Sequence, residues 1–311
     1  MPLSTSSSKE LAPKASYVRR IAGTLVALSL LLAGLEAVTR YGFKQISRLA
    51  RRIEIDYSDA IAVRQGGRSK PTILLLGNSL LLEGIDYEGL RQTLAPRATP
   101  IRFVIEQTMY FDWYYGIRRL FEDGARPDRI VLCLTVPQLL ANSIRGEYTA
   151  FYLIRLQDLA SAGKDAGLNL TGISGLFFAR YSMFYAGRSS LRNFMLNSVF
   201  PAYAETLRGF ANKPAPDFSD AEVLAGAAPR LNNLRMLCAQ HSVRFDFLLP
   251  PSFGHGERSL MEAGRRMGTS VLAPVPQNSW KSNLYRDNFH LNHEGAAQFT
   301  NLLASALTQE P

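Results

Sequence analysis

The sequence predicts an α/β protein, a three-layer α/β/α sandwich around a mostly parallel sheet, preceded by one apolar amino-terminal helix. Three observations support this prediction. Short apolar runs alternate with amphipathic segments from residue 70 onward, residues 21–35 form a stretch without a charge, and residues 137–217 interrupt the alternation without strand patterns. Strands that alternate with single helices are typical of parallel sheets with right-handed crossovers.

The amino-terminal residues predict an arm and an anchor ahead of one large domain. Residues 1–20 are rich in Ser, Lys and Ala, have no apolar period and predict a disordered basic arm. Residues 21–38 would span about 27 Å as a helix, close to the hydrocarbon thickness of a bilayer, and predict a transmembrane anchor. Two alternatives stay open for this stretch: a cleaved signal peptide, although no clean small-residue cleavage pattern follows it, and a buried core helix.

The net charge of +9 is concentrated near the predicted anchor. Residues 1–70 contain 12 lysines and arginines against five acidic residues, and therefore account for seven of the nine net charges. Such juxtamembrane clusters favour contact with anionic lipid headgroups over nucleic acid, so no nucleic-acid partner is expected. Because basic residues flank both ends of the anchor, the charge distribution does not decide its orientation.

Residues 39–69 predict a charged, partly helical connector, and residues 70–311 predict the folded domain. The elements expected in this domain are listed in chain order: strand 73–76, helix 87–94, strand 101–105, helix 112–121, strand 130–136, helix 220–241 interrupted around Pro229, strand 244–249, helix 257–267, strand 270–275 and helix 294–307. Residues 137–217 predict a helical insertion, either a lid over the sheet or an excursion with aromatic core residues.

Two separate motifs place chemically useful side chains in the domain. The first predicted strand ends in Gly77-Asn78-Ser79-Leu80, and the carboxyl ends of strands line the ligand crevice of an open α/β sheet. Near the other end of the chain, Asp287 precedes His290 by three residues. Together these supply a hydroxyl, an imidazole base and a carboxylate, the three groups needed for nucleophilic acyl chemistry. The alternative for Ser79, a helix N-cap, is compatible with this role.

These two motifs resemble the first and last blocks of the SGNH (GDSL-type) hydrolase superfamily, Gly-Asp-Ser-Leu and Asp-x-x-His. The resemblance covers about residues 71–307 and implies a flavodoxin-like sheet with Ser79 as the nucleophile, His290 as the base and Asp287 as the carboxylate that orients the imidazole. The family's oxyanion-hole residues, a Gly after the second strand and a Gly-x-Asn-Asp after the third, are not present at residues 106–109 and 135–138. Gln138 and Asn142 are the candidate replacements, and a site without such donors is expected to hydrolyse slowly or not at all.

The remaining candidate residues carry less specific signals. His255 follows the fourth predicted strand and is either a substrate contact or a loop histidine, and Asn292 is expected to cap the last helix. Cys133 and Cys238 lie in apolar segments and are expected to be buried thiols. The sequence has no metal-ligand spacing, so neither a metal nor a cofactor is expected.

The resemblance and the anchor together predict a membrane-anchored acyl-ester enzyme outside the bacterial cytoplasm. Membrane-tethered proteins of this build are similar to those found beside polysaccharide export systems, which implies an O-acetyltransferase or deacetylase that acts on polysaccharide through an acyl-serine intermediate. A membrane-bound O-acyltransferase is the implied partner. The expected location is the inner membrane, with one span and the catalytic domain in the periplasm or outside the cell. Two other functions stay open: a general esterase or lipase-like hydrolase, and an inactive glycan-binding or assembly protein.

Overall fold

The computed structural model describes residues 12–43, 47–65, 70–146, 148–200 and 218–309. It divides into two compact units, residues 1–48 and 49–311. Parts of three predicted regions lie outside the described residues: the start of the basic arm, residues 66–69 at the end of the connector, and residues 201–217 at the end of the insertion.

The first unit contains one long helix. Helix α1 (Ala12–Val38) continues into a π-helical turn at Thr39–Phe43. Residues 12–20 are thus helical where the sequence predicted a disordered arm, because Ala, Lys and Arg are good helix formers and extend a helix that is already nucleated. The 26 residues Tyr17–Gly42 are long and apolar enough to cross a membrane.

The second unit is built on a parallel sheet, as predicted. The described residues contain five strands, in the spatial order β2-β1-β3-β4-β5, and every neighbouring pair is parallel. This is the flavodoxin-like order. The strands are β1 Thr72–Gly77, β2 Thr99–Val104, β3 Arg129–Cys133, β4 Arg244–Leu248 and β5 Ser270–Leu272. All six residues of β1 are buried, as expected for a short apolar run in an interior strand of a parallel sheet.

Helices of the chain after α1 connect and cover these strands, with short 3₁₀ turns at Leu156–Asp158 and Ser282–Leu284. They are α2 Arg48–Ala62, α3 Ser79–Gly84, α4 Tyr87–Leu94, α5 Tyr110–Glu122, α6 Val136–Leu140, α7 Tyr148–Tyr152, α8 Leu159–Asp165, α9 Leu170–Tyr181, α10 Met183–Val199, α11 Asp220–Ala239, α12 Glu257–Met267 and α13 His293–Thr308.

The sheet lies between two helical layers. Leu75 of β1, Leu81 of α3, Leu90 of α4 and Phe299 of α13 belong to one buried cluster, which places these three helices on one face. On the other face α11 contacts β4 and α12, and α12 contacts β5. Side chains of a strand alternate between the two faces, so both layers bury apolar residues of the same strands. The three-layer sandwich is therefore present.

The compact second unit begins earlier in the chain than predicted. Ala50, Ile53 and Ala60 on α2 are fully buried, and the Tyr57 ring meets Phe103 of β2 with ring centroids 5.6 Å apart. The predicted connector is thus partly an integral helix. Its buried positions recur every three to four residues, but the charged residues between them obscured this amphipathic pattern.

The insertion after β3 is helical, as expected, and has a small core of its own. Its described part contains α6 to α10, and its buried cluster includes Ala150, Leu159, Leu176 and Ala186 together with Tyr115 of α5. Helix α11 then continues through Pro229, where an interruption was predicted. A proline removes one backbone donor, and the packing of α11 against α12 and β4 holds the helix on both sides of that position.

Candidate active site

Ser79 lies just past the carboxyl end of β1. It is the first residue of α3, two residues after β1 ends. A Cβ atom at Gly77 would lie 3.0 Å from the Cys133 carbonyl oxygen and 3.1 Å from the Leu81 Cβ atom. The close approach of the turn to β3 therefore requires glycine at this position, and it brings the next residues to the edge of the sheet where parallel strands present ligands.

Asn78, between the strand and the serine, is the cap of α3. Its buried side chain accepts a hydrogen bond from the Leu80 N–H at 3.0 Å and donates one to the Thr108 carbonyl at 3.0 Å. The first bond satisfies one of the free amides at the helix start, and the second ties the turn to the loop after β2. Because Asn78 performs the capping, the Ser79 hydroxyl is not needed for it.

The Asp287–His290 segment is a tight loop before α13. Tyr285 and Leu291 form an antiparallel bridge at its base, and the Arg286 N–H donates to the His290 carbonyl at 2.8 Å. Asn292 caps α13 by accepting from the Gly295 N–H at 3.0 Å, as the sequence predicted. These backbone bonds fix the loop conformation, and with it the positions of the carboxylate and the imidazole.

Ser79, His290 and Asp287 form a continuous chain of hydrogen bonds. The His290 Nε2 atom lies 3.0 Å from the Ser79 Oγ atom, across 211 residues of sequence. The His290 Nδ1 atom lies 2.9 Å from Asp287 Oδ2 and 3.2 Å from Oδ1. A carboxylate can only accept at Nδ1, so this arrangement puts the proton on Nδ1 and leaves Nε2 to accept from the serine hydroxyl.

The carboxylate of Asp287 is held in its ionised form. Partial burial acts to raise its pKa, but hydrogen bonds from the His290 N–H at 2.7 Å, the His290 imidazole and the Phe289 N–H at 2.8 Å outweigh that effect. The pKa of Asp287 is therefore well below its ordinary value. Arg286, which pairs with Glu83 at 2.6 Å, also approaches this carboxylate to 3.4 Å.

A cleft of about 740 Å³ opens over Ser79 and His290. The cleft is formed where the loops after β1, β3 and β4 meet. At this point β2 and β3 lie on opposite sides of β1, and such a switch point is the usual place for a ligand in an open α/β sheet. The side chains that line it are apolar or uncharged polar, apart from two histidines. They belong to Ser79, Leu80, Met109, Thr135, Val136, Pro137, Gln138, Ala141, Phe218, Ser252, Phe253, His255, Gln277, Asn288, Phe289 and His290.

Of the two candidate oxyanion donors, Gln138 lines the cleft and Asn142 does not. The Gln138 Oε1 atom accepts a hydrogen bond from the Thr135 N–H at 3.0 Å in the cap of α6. This bond uses the amide oxygen of Gln138 and does not use its Nε2 donor. Asn142 does not line the cleft. Helix α6 ends at Leu140, the chain continues extended, and the Asn142 amide oxygen accepts from Arg230. Asn142 is therefore not positioned to donate a hydrogen bond to a substrate in the cleft.

The loop after β2 contributes Met109 to the cleft lining, and the Met109 backbone amide is already bonded. Met109 lines the cleft, and its N–H donates to Asp112 Oδ2 at 2.9 Å. The same buried carboxyl accepts from the Arg145 N–H at 3.1 Å, and burial raises the pKa of Asp112 to about 6. Gln107, just before, has a φ of 63°, a left-handed conformation that normally favours glycine. Ser79 is the first residue of α3, and the first N–H groups of a helix have no partner within the helix.

The loop after β4 contributes residues whose role the sequence did not establish. His255 lines the cleft. Of the two roles left open for it, a substrate contact and a loop histidine, this position favours the substrate contact. The loop is held by Asn278, which accepts from the Gly254 N–H at 3.0 Å and donates to the Gly254 carbonyl at 2.7 Å. Phe218, Gln277 and the 252–254 segment were not predicted. Residues 252–254 could have been found because they follow a buried strand. Phe218 and Gln277 belong to distant segments, and no sequence pattern marks them as cleft residues.

Within the described residues, no group of three or more His, Cys, Asp or Glu side chains is placed to hold a metal ion. Cys133 and Cys238 are both buried free thiols, and burial raises their pKa values.

Comparisons with known proteins give only remote likenesses. No family model and no curated protein sequence matches the chain. Among solved structures, the psychrotrophic esterase EstA from Pseudoalteromonas sp., inhibited by monoethylphosphonate, is similar with a TM-score of 0.40 and 12% identity over 76% of this chain and 97% of its own. TesA is similar with a TM-score of 0.37 and 9% identity over 76% of this chain and 98% of its own. Likeness this remote says nothing about the substrate of this chain.

Proposed function

We propose that this chain is an SGNH-type acyl-ester enzyme with Ser79 as nucleophile, His290 as general base and Asp287 as the residue that orients His290. The observation that supports this best is the unbroken hydrogen-bonded series from the Asp287 carboxylate through both ring nitrogens of His290 to the Ser79 hydroxyl, at the edge of a cleft. This is the arrangement that activates a serine hydroxyl, which is a weak nucleophile without an adjacent base.

In the proposed reaction, Ser79 Oγ attacks the ester carbonyl carbon while its proton passes to His290 Nε2. The carbonyl π electrons move to oxygen, and in this proposal the Ser79 N–H and the Gln138 amide donate hydrogen bonds to that oxyanion. The tetrahedral intermediate collapses with cleavage of the bond to the leaving alcohol, which takes the proton from His290. The product of this half is acyl-Ser79, and the ionised Asp287 stabilises the imidazolium throughout.

In the second half an incoming hydroxyl attacks acyl-Ser79 and gives its proton to His290. If the hydroxyl belongs to water, the products are a free acid and the restored serine; if it belongs to a sugar, the acyl group is transferred. The same residues serve both reactions, and the outcome depends on which hydroxyl reaches the acyl group first.

The finer part of the proposal is a membrane-anchored enzyme that adds or removes O-acetyl groups on an extracytoplasmic polysaccharide. Three features support it. The cleft lining has several amide side chains and no Lys, Arg, Asp or Glu among the described residues, which suits an uncharged sugar ester. Helix α1 has the length and composition of an anchor. The two motifs around Ser79 and His290 resemble those of a superfamily that contains such enzymes. A membrane-bound O-acyltransferase remains the proposed partner.

The test is turnover of an activated acetyl ester by the full-length chain in detergent, with and without a neutral oligosaccharide, beside Ser79→Ala. Release of acetate without transfer would favour a hydrolase, either a deacetylase or a plain esterase, and acetylated oligosaccharide would favour the transferase. Turnover that is equal in the Ser79→Ala variant would contradict the proposed nucleophile. A folded wild-type protein without turnover that still binds oligosaccharide would favour the inactive binding protein.

A further inference from the structure

Helix α9, in the insertion, is apolar on both of its faces. Leu176 and Ala179 are buried against the insertion's own core. Most residues that face away from that core are also large and apolar: Leu170, Phe177, Phe178 and Tyr181 are 83%, 47%, 56% and 50% exposed and share one side of the helix, with the small polar Ser174 among them. A surface helix of a water-soluble domain normally presents polar residues there, and an exposed apolar patch marks an interaction site.

The next helix adds both apolar and basic groups. On α10 the exposed residues Arg188, Arg192, Met195 and Val199 recur at intervals of three to four and therefore share one stripe of the helix surface. Phe200, which follows the helix, is 60% exposed. Aromatic and aliphatic side chains interleaved with basic residues are typical of helices that lie in the interface of a bilayer.

The charge of the two helices favours one kind of partner. Residues 166–200, which include both helices, contain three arginines and no aspartate or glutamate, and the exposed pair Lys164 and Asp165 just before them adds no net charge. A surface that combines bulky apolar groups with only positive charge is complementary to the headgroups and upper acyl chains of an anionic lipid layer. Carboxylates, which such a layer repels, are missing from this stretch of the sequence.

We propose that the exposed faces of α9 and α10 form a surface that binds an anionic lipid bilayer. The proposal rests on the membrane anchoring included in the proposed function, because a chain held in a bilayer by α1 keeps its second unit near lipid. Bilayer contact would remove the apolar side chains of Leu170, Phe177 and Phe178 from water, and the basic residues would remain at the headgroup level. The catalytic domain would then be held at two places, by its anchor and by this surface.

The test uses the full-length chain in vesicles of phosphatidylcholine and phosphatidylglycerol, with one cysteine labelled by an environment-sensitive fluorophore. Labelling is selective because Cys133 and Cys238 are buried. Phe178→Cys reports on the proposed surface, Gln92→Cys on an exposed position of α4, and Leu28→Cys on α1. Quenching is measured with brominated acyl chains for lipid contact and with iodide for contact with water.

We expect the Phe178 label to be quenched by brominated lipid and protected from iodide, and the Gln92 label to behave in the opposite way. Protection should weaken in vesicles of phosphatidylcholine alone, since the arginines then lose their anionic partners. A Phe178 label that iodide reaches and lipid does not would overturn the proposal. A label shielded from both would also overturn it, because protein would then cover the surface.

The Leu28 label separates this proposal from the one it rests on. If the Leu28 label is quenched by lipid and the Phe178 label is not, the anchor stands and the second surface is rejected. If the Leu28 label is also reached only by iodide, the membrane anchoring itself is rejected. Ester turnover by each labelled variant on a water-soluble ester, compared with unlabelled wild type, checks that the labels have not disturbed the cleft.

Discussion

Asp287 accepts hydrogen bonds from two backbone amides, from the His290 imidazole and, at 3.4 Å, from the Arg286 guanidinium. Replacing it with asparagine keeps the shape but removes the charge, and the asparagine amide can favour the wrong imidazole tautomer. We predict that Asp287→Asn lowers kcat on an activated acetyl ester by on the order of 10⁴-fold with little change in KM. Steady-state kinetics measure this, with circular dichroism as the check on folding. Full turnover in a folded Asp287→Asn protein would count against the assigned role.

Gln138 and Asn142 allow a matched test of the oxyanion site. Gln138→Glu keeps the oxygen that caps Thr135 and removes the amide donor, so kcat should fall by at least about 10²-fold while KM changes little. Asn142→Asp likewise keeps the oxygen that accepts from Arg230, but it lies outside the cleft lining and should leave kcat within about twofold. Equal losses in the two variants, or a larger loss in the second, would show that Gln138 does not serve as the donor.

At the scale of elements, the loop between β2 and α5 is fixed by the buried Asp112 carboxyl, which gives it a pH-dependent stability. Burial raises the pKa of Asp112 from 3.8 to about 6, so between these values the folded protein holds a proton that the unfolded chain has lost. Stability from this group is fully present below about pH 4 and is lost as pH rises to about 6, by on the order of 2–3 kcal/mol.

The measurement is the melting temperature of wild type and Asp112→Asn as a function of pH. The variant cannot ionise, so the wild type should lose stability relative to it between about pH 4 and pH 6, with a constant difference above that range. A difference that does not depend on pH, or one that grows in favour of the wild type as pH rises, would contradict the raised pKa.

Elements with a strong local pattern were predictable from the sequence. The predicted bounds of α4 and α12 coincide with the structure, and β1 differs by one residue at each end, because short apolar runs and clear periodicity mark these elements. Helix α2 was missed as part of the domain because its apolar residues are separated by charges, and its burial depends on contacts with distant β2. The interruption predicted at Pro229 does not occur, because tertiary packing overrides the local effect of the proline.

In the candidate site, the features that depend on local motifs were predictable from the sequence, and those that depend on packing were not. Ser79 and the 287–290 pair lie on local motifs, and the parallel-sheet rule alone placed the serine at the ligand edge. Their mutual distance, and the inclusion of Gln138 but not Asn142 in the cleft, depend on how helices α6 and α13 pack, which no spacing in the sequence encodes. The sequence left a cap role open for Ser79, and the structure gives that role to its neighbour Asn78, since both residue types favour that position.

At the scale of the whole molecule, the proposed membrane anchoring depends on helix α1. We predict that the full-length chain stays in the membrane pellet after alkaline carbonate extraction, and that a chain without residues 1–42 does not. The mass of the protein recovered from cells separates the anchor from a signal peptide, because cleavage would remove the apolar helix. Release of the intact full-length chain by carbonate would contradict membrane insertion.

The central claim is that Ser79 forms a covalent acyl intermediate, and intact-mass spectrometry tests it most directly. The full-length protein in detergent is exposed briefly to an activated acetyl ester, quenched in acid, and compared with Ser79→Ala. The account predicts one added acetyl group that maps to Ser79, is absent from the variant, and disappears with time as water or an added oligosaccharide accepts it. An adduct on another residue, or a folded protein that turns over the ester without any acetyl-Ser79 under rapid quenching, would contradict the account.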